Sequence, residues 1–135
     1  MATLVDSSVW IDFTRARSSQ HLKQFIAPYI LAPGVALAEP VAFEVLRYAN
    51  ELEAGHLREQ FRLLPLLPTP HDIWDRAAIL GQNCRKLGIN AGAMDLLISV
   101  IAMDHAAELV TFDSDFLQIA QASDLRVNLL VRPVT

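Results

Sequence analysis

Four carboxylates scattered along 135 residues, Asp6, Glu44, Asp95 and Asp113, are the side chains whose placement could do chemistry. Crowded together without a counter-ion they would repel one another and lose solvation, so some would take up protons. A divalent cation reverses that logic by supplying the missing positive charge. An oxygen-only ligand set points to Mg²⁺ or Mn²⁺ rather than zinc. Histidine offers no competing set, because His21, His56, His71 and His105 are scattered without ligand-like spacing and read as surface residues. Cys84 is alone, which gives neither an internal disulfide nor a metal-binding pair. The chemistry such a cluster suggests is metal-assisted hydrolysis of a phosphodiester, the cation lowering the pKa of a water and stabilising charge on the phosphate oxygens.

The elements must bring these acids to one place. Leu4–Val5 reads as a short buried strand ended by Asp6-Ser7-Ser8, any of which can cap the helix marked by Val9, Trp10 and Phe13. Leu22, Phe25, Ile26 and Tyr29 mark a second helix, stopped by Pro33-Gly34, and Val35-Ala36-Leu37 is a second strand. Glu39-Pro40 opens a third helix with Val41, Val45, Tyr48 and Leu52 as its core stripe and Glu44 at the edge of the buried face. Gly55 separates this from a short helix at His56–Leu64, and the proline-punctuated Pro65–Pro70 reads as an extended link with one edge strand. Asp72–Leu87 is a helix ended by Gly88.

Met94–His105 is the central helix, apolar on nearly every side between Leu96 and Met103 and therefore interior. It opens on Asp95. Taken alone, Asp95 has a plain reading as a capping residue at the positive end of the helix dipole. Asp104, about 180° round the helix at roughly 100° per residue, is expected to be solvated. Glu108–Thr111 is a strand, Phe112–Asp115 a turn, Phe116–Ala122 a helix and Leu125–Val131 a closing strand. Strands alternating with helices imply crossover connections, hence a parallel sheet covered on both faces. Ligands bind such sheets beyond the carboxyl ends of the strands. Asp6 and Asp113 each follow a strand, Asp95 opens a helix and Glu44 lies one turn into another, so all four can share one rim.

Composition sets the outer bounds. The length suits a single domain over residues 1–135, and a hydrophobic fraction of 53% is enough for a real core. No apolar run approaches the ~18 residues needed to span a bilayer, and there is no basic leader before the first strand, which together favour the cytoplasm. With a net charge of −4 the totals give no sign of a broadly basic face, though Arg15, Arg17, Lys23, Arg47, Arg85 and Lys86 could converge locally. Phe43 and Leu46 are apolar on the side of their helix away from the stripe, which suggests either a partner surface or packing beneath the next hairpin.

Val5-Asp-Ser-Ser-Val-Trp-Ile11, Phe43-Glu-Val-Leu46, Gly88-Ile89 with Met94-Asp-Leu-Leu-Ile98, and Leu109-Val-Thr-Phe-Asp-Ser-Asp-Phe116 resemble, in order and over the whole length, the four signature segments of PIN domains. The single-domain size is similar to that of the VapC toxins of bacterial toxin–antitoxin pairs. The resemblance implies a three-layer α/β/α sandwich on a central parallel sheet of four to five strands. It implies an endoribonuclease using Mg²⁺ or Mn²⁺, with Asp6, Glu44, Asp95 and Asp113 as catalytic and metal-binding acids. Asp115 matches a second acid near the fourth position, which leaves open whether it or Asp113 faces the metal. Ser7 and Thr111 match polar positions that orient carboxylates, and Arg47 could hold substrate phosphate. Implied partners are RNA, a second copy of the chain, and a VapB-like antitoxin whose C-terminal segment enters the active-site groove near Phe43 and Leu46. Pro40-Val-Ala-Phe43 and Met94 depart from the family's usual lead-ins, and neither removes an acid.

Two other classes are weighed against this. A phosphoacceptor signalling domain would want adjacent acids after the first strand and a late lysine, whereas Asp6 is followed by serines and no lysine follows Lys86. A PIN-like RNA- or protein-binding module with little or no catalysis is the alternative that retains the fold.

Overall fold

The computed structural model describes residues 1–134. Its elements run β1 (Thr3–Val5), α1 (Ser7–Thr14), α2 (Gln20–Ile30), β2 (Val35–Ala36), α3 (Glu39–Arg47), α4 (Glu51–Arg62), α5 (Ile73–Lys86), α6 (Ala93–Asp104), β3 (Glu108–Thr111), α7 (Asp115–Gln121) and β4 (Arg126–Leu129). The four strands form one parallel sheet in the order β2-β1-β3-β4, sandwiched between helices. Leu37 adds an isolated parallel bridge to Leu66, so the proline-rich link supplies one pairing rather than a fifth strand.

Register places the site. Leu4 pairs with Ala36 on one side and Leu109 on the other, and Leu109 pairs in turn with Val127. From β1 the chain first moves outward to β2, then returns to the other side as β3. The reversal between β1 and β3 is the topological switch point, where open α/β sheets leave a crevice at the carboxyl ends of the strands.

The core follows the apolar periodicity. Leu4, Val5, Leu109 and Val110 of the central strands are buried, as are Val9 and Trp10 of α1 and Ile98, Val100, Ile101 and Ala102 of α6. Trp10 meets Phe61 of α4 edge to face at 5.1 Å. α5 and α6 pack closely at Gly81, where an added Cβ would come within 3.2 Å of Leu96 Cδ1. Because α6 is clasped from several sides, its first turn is held firmly over the sheet's rim.

The third helix differs from its sequence-based outline. It stops at Arg47, and Tyr48 and Leu52, expected in its core stripe, are 63% and 73% exposed. Asn50 takes over as a cap: its side chain accepts from Glu53 N–H while Glu53 reaches back to the Asn50 N–H, a reciprocal pair that starts α4. Gly55, expected as a break, lies inside α4 facing open space, where a helical glycine is tolerated.

Candidate active site

Asp6 follows β1 directly and caps α1, its Oδ2 accepting from Ser8 N–H at 3.3 Å. The Ser8 hydroxyl donates to the same oxygen at 2.8 Å, and Thr111, at the end of β3, donates to it at 2.8 Å. Three donors therefore saturate Oδ2. Oδ1 has only Ser7 Oγ, at a long 3.4 Å, so it is the less engaged oxygen of the pair. Burial fixes the arrangement further, since Asp6 is 3% exposed and Thr111 is fully buried.

The same hydroxyls tie the second acid-bearing turn to the first. Thr111 Oγ1 accepts from Asp113 N–H at 2.9 Å, and Ser8 Oγ accepts from Phe112 N–H at 3.1 Å. Asp113 Oδ1 accepts from Asp115 N–H at 2.9 Å. From α3, Glu44 joins through Ser7, whose hydroxyl donates to its Oε1 at 2.9 Å. Ser7 thus stands between the carboxylates of β1 and α3, and Thr111 between those of β1 and the β3 turn.

Asp95 arrives from a third direction, in the first turn of α6. Asp95 does lie in the first turn, at the positive end of the helix dipole, but the capping bond is absent: no side chain caps α6, whose N-cap is Gly92. Oxygens of Asp95, Asp113 and Asp115 instead lie within 4.8 Å of one another. Half-burial, and then the charges of Asp113, Asp6, Glu44 and Asp115, push the Asp95 carboxyl up to about 7. Glu44 is raised as well, by burial and by Asp6 and Asp113, partly offset by the Ser7 hydrogen bond and Arg47. All four predicted acids, together with Asp115, Ser7 and Thr111, are thus brought to one rim.

A metal fits these residues. Six oxygens at about 2.1 Å from an ion lie roughly 3 to 4 Å apart, so the Asp95–Asp113–Asp115 trio needs only a small closure to bind one. Both Asp113 and Asp115 offer an oxygen, so the geometry brings together the two acids that competed for the fourth position. The histidines stay out of it. His21, His56 and His71 are exposed, and the half-buried His105 ring contacts the Pro68 carbonyl at 2.9 Å.

Sequence reading missed Ser8 as more than a helix cap. Nothing in a Ser-Ser pair distinguishes a cap from a hydroxyl that donates to Asp6 while accepting from the Phe112 N–H 104 residues away. Asp104 is exposed, as expected, and at the surface also pairs with Arg76 at 2.6 Å, a partner that sequence reading did not supply. Phe43 is 53% exposed as a partner surface requires, whereas Leu46 is half-buried.

Known proteins match this architecture. The family model for the PIN domain matches residues 3–122. Ribonuclease VapC11 of Mycobacterium tuberculosis is 30% identical over 129 residues, covering 91% of this chain and 95% of that protein. VapC ribonuclease Mb1587 of Mycobacterium bovis matches with the same identity and coverage. Among solved structures, VapBC2 from Rickettsia felis, bound to a DNA fragment from their promoter, superposes with a TM-score of 0.76 at 15% identity, covering 97% of this chain and 100% of that one. VapBC-1 from nontypeable Haemophilus influenzae gives 0.71 at 18% identity over 96% and 98%. With the acid-bearing turns in family order and the family model spanning every one of them, this chain belongs to the PIN-domain family, alongside the VapC proteins.

Proposed function

We propose that this chain is an endoribonuclease of the VapC kind, the toxin of a toxin–antitoxin pair, cleaving RNA phosphodiester bonds through an acidic Mg²⁺ or Mn²⁺ site. The observation that carries the reading is the meeting of Asp95, Asp113 and Asp115 oxygens within 4.8 Å at the switch point of the sheet. Asp6 and Glu44 are fastened beside them by hydroxyls. The names of the curated relatives, both ribonucleases, support RNA as the substrate.

In this reading Asp6, Asp95, Asp113 and Glu44 hold the metal, with Asp115 as a further ligand. A bound dication would lower the pKa of a nearby water and neutralise charge on the phosphate oxygens. The protein's own part is to keep the carboxylates in place before the cation arrives. Ser8 and Thr111 lock Asp6 through Oδ2, leaving Oδ1 the less engaged oxygen, and Ser7 steers Glu44. Asp95, raised to about 7 among its neighbours, is the carboxyl whose ionised form a bound dication would favour. Arg47, one turn beyond Glu44 and stacked over Tyr48 at 4.5 Å, is placed to meet a substrate phosphate.

The VapBC complexes among the structural neighbours support a VapB-like antitoxin as partner. A second copy of the chain is proposed as the other. No helix among the described residues is long and apolar enough to cross a membrane, in keeping with action in the cytoplasm. The test is cleavage of single-stranded RNA by the purified protein with Mn²⁺ or Mg²⁺, abolished by chelation, together with growth arrest on expression and rescue by the product of the adjoining reading frame. RNA binding without cleavage under any divalent metal would replace the nuclease reading with the binding module.

A further inference from the structure

A crevice lined by five carboxylates, in a chain of net charge −4, repels the polyanion it is to cut unless a cation beside it takes up the backbone. Besides Arg47, a second such cation lies beyond the last strand. We propose that Arg132 grips a backbone phosphate of the RNA strand next to the scissile bond, an inference that rests on the nuclease reading above.

The chain leaves β4 at the acid rim, where Leu130 N–H donates to the Thr111 carbonyl at 2.8 Å. Two residues on, the guanidinium carbon of Arg132 sits 4.3 Å above the Phe112 ring. The backbone of Phe112 is itself anchored to Ser8, and through it to Asp6. Arg132 Nε donates to Asp12 Oδ2 at 2.7 Å, and the Asp12 side chain is only 14% exposed. One edge and one face of the guanidinium are therefore pinned. Its two terminal amino groups have no protein partner among the described residues, and the side chain is 52% exposed. A planar fork held still with its outer edge free suits two-point binding of phosphate, and little rotamer entropy remains to be lost. Arg76, Arg126 and Arg47 each have one terminal amino group engaged, with Asp104, the Ala106 carbonyl and the Tyr48 hydroxyl.

Steady-state cleavage of a short single-stranded RNA in Mn²⁺, across a range of salt concentrations, tests the assignment. R132A is expected to raise KM about tenfold with kcat within about twofold, and to flatten the slope of log(kcat/KM) against log salt by about 0.7. R132K keeps the salt slope and recovers part of the KM. D12N breaks the same ion pair from the other side and stays within about threefold of the parent KM. Equal KM changes in R132A and D12N, with matching losses of melting temperature and no change in salt slope, would mean that Arg132 only ties down the chain's end, and would overturn the proposal. Parental KM and slope in R132A would overturn it too, leaving the nuclease reading intact. A parent chain that neither cleaves nor binds RNA removes both.

Discussion

The two ends of α6 carry one aspartate each, and their circumstances are opposite. Asp95, in the first turn, has no capping bond and faces four other carboxylates, which with burial push it up to about 7. Asp104, in the last turn, is held by Arg76 at 2.6 Å, while Arg76 also lies 3.7 Å from Asp72 and the His105 ring lies 3.6 Å from Asp104. Asp104 has counter-charges on hand. Asp95 lacks one, and that deficit is what the proposed dication would fill. A cavity of about 550 Å³ opens at the Asp104 end, lined by Arg76, Met103, Ala107 and Arg126, yet it lies at the amino ends of β3 and β4, a strand's length from the acids. Volume alone would direct attention to the wrong end of the molecule.

The sharpest way to break this comparison is to neutralise each end in turn. D95N is expected to reduce metal-dependent RNA cleavage by about a thousandfold or more, the scale seen when a group acting on the reacting charge is lost. D104N should stay within about twofold. Circular dichroism and melting curves check that both variants are folded. A D95N protein as active as its parent would remove Asp95 from the site.

A second test reads the same asymmetry through stability. An acid whose pKa is higher in the folded than in the unfolded chain binds its proton more tightly when folded. The stability contributed by protonated Asp95 is therefore fully present below about pH 4 and is lost as pH rises through about 7. Glu44 is shifted in the same direction and adds to the trend. In chelator, the parent's melting temperature should fall across this window, and D95N should flatten the fall. At pH 8 the metal-free D95N protein should be the more stable by about 1 kcal/mol, a figure discounted for the solvent screening of a half-buried carboxylate, or a few degrees in Tm. Mg²⁺ or Mn²⁺ should raise the melting temperature of the parent and leave D95N nearly unmoved. A parent whose stability rises with pH over this range would contradict the electrostatics of the mouth.

What was legible in the sequence follows the range of the interactions. Asp6 and Asp113 could be placed because each follows a short β-branched run, and Asp95 because it interrupts an otherwise apolar helix. Periodicity thus located the acids on one rim, and family likeness supplied Ser7, Thr111 and Asp115. Periodicity also misled. Val41, Val45, Tyr48 and Leu52 keep helical spacing across a real break, and the competing signal, Asn50 with Glu53 three residues later, is a local capping pair that outweighs it. Long-range partners had no signature at all: Ser8 with Phe112, Arg76 with Asp104, and Arg132 with Asp12 are joined by folding alone.

The hydroxyl that links two acids gives a smaller and more selective effect. Ser7 donates to Glu44 and holds its carboxyl down against burial and the charges of Asp6 and Asp113. S7A should let the Glu44 carboxyl rise further, so that more metal is needed at acid pH. The expected loss of activity is about three- to tenfold at pH 6 and less at pH 8, with the acidic limb of the pH profile displaced upward. A uniform loss at both pH values would assign Ser7 to packing instead.

The smallest effect belongs to the paired end. Arg76 and Asp104 side chains are 35% and 32% exposed, so water screens much of their attraction, and removing either should cost about 1 kcal/mol or less. D104N still leaves Arg76 near Asp72, whereas R76A leaves both Asp72 and Asp104 without their cation, so R76A should be the more destabilising of the two. The R76A/D104N double variant should recover part of that loss, because one of the stranded charges is gone. Chemical denaturation of the four proteins at low and high salt measures the coupling, which should shrink as salt rises. If instead R76A lowered RNA cleavage while D95N spared it, the assignment of charge-deficient and charge-paired ends of α6 would have to be exchanged.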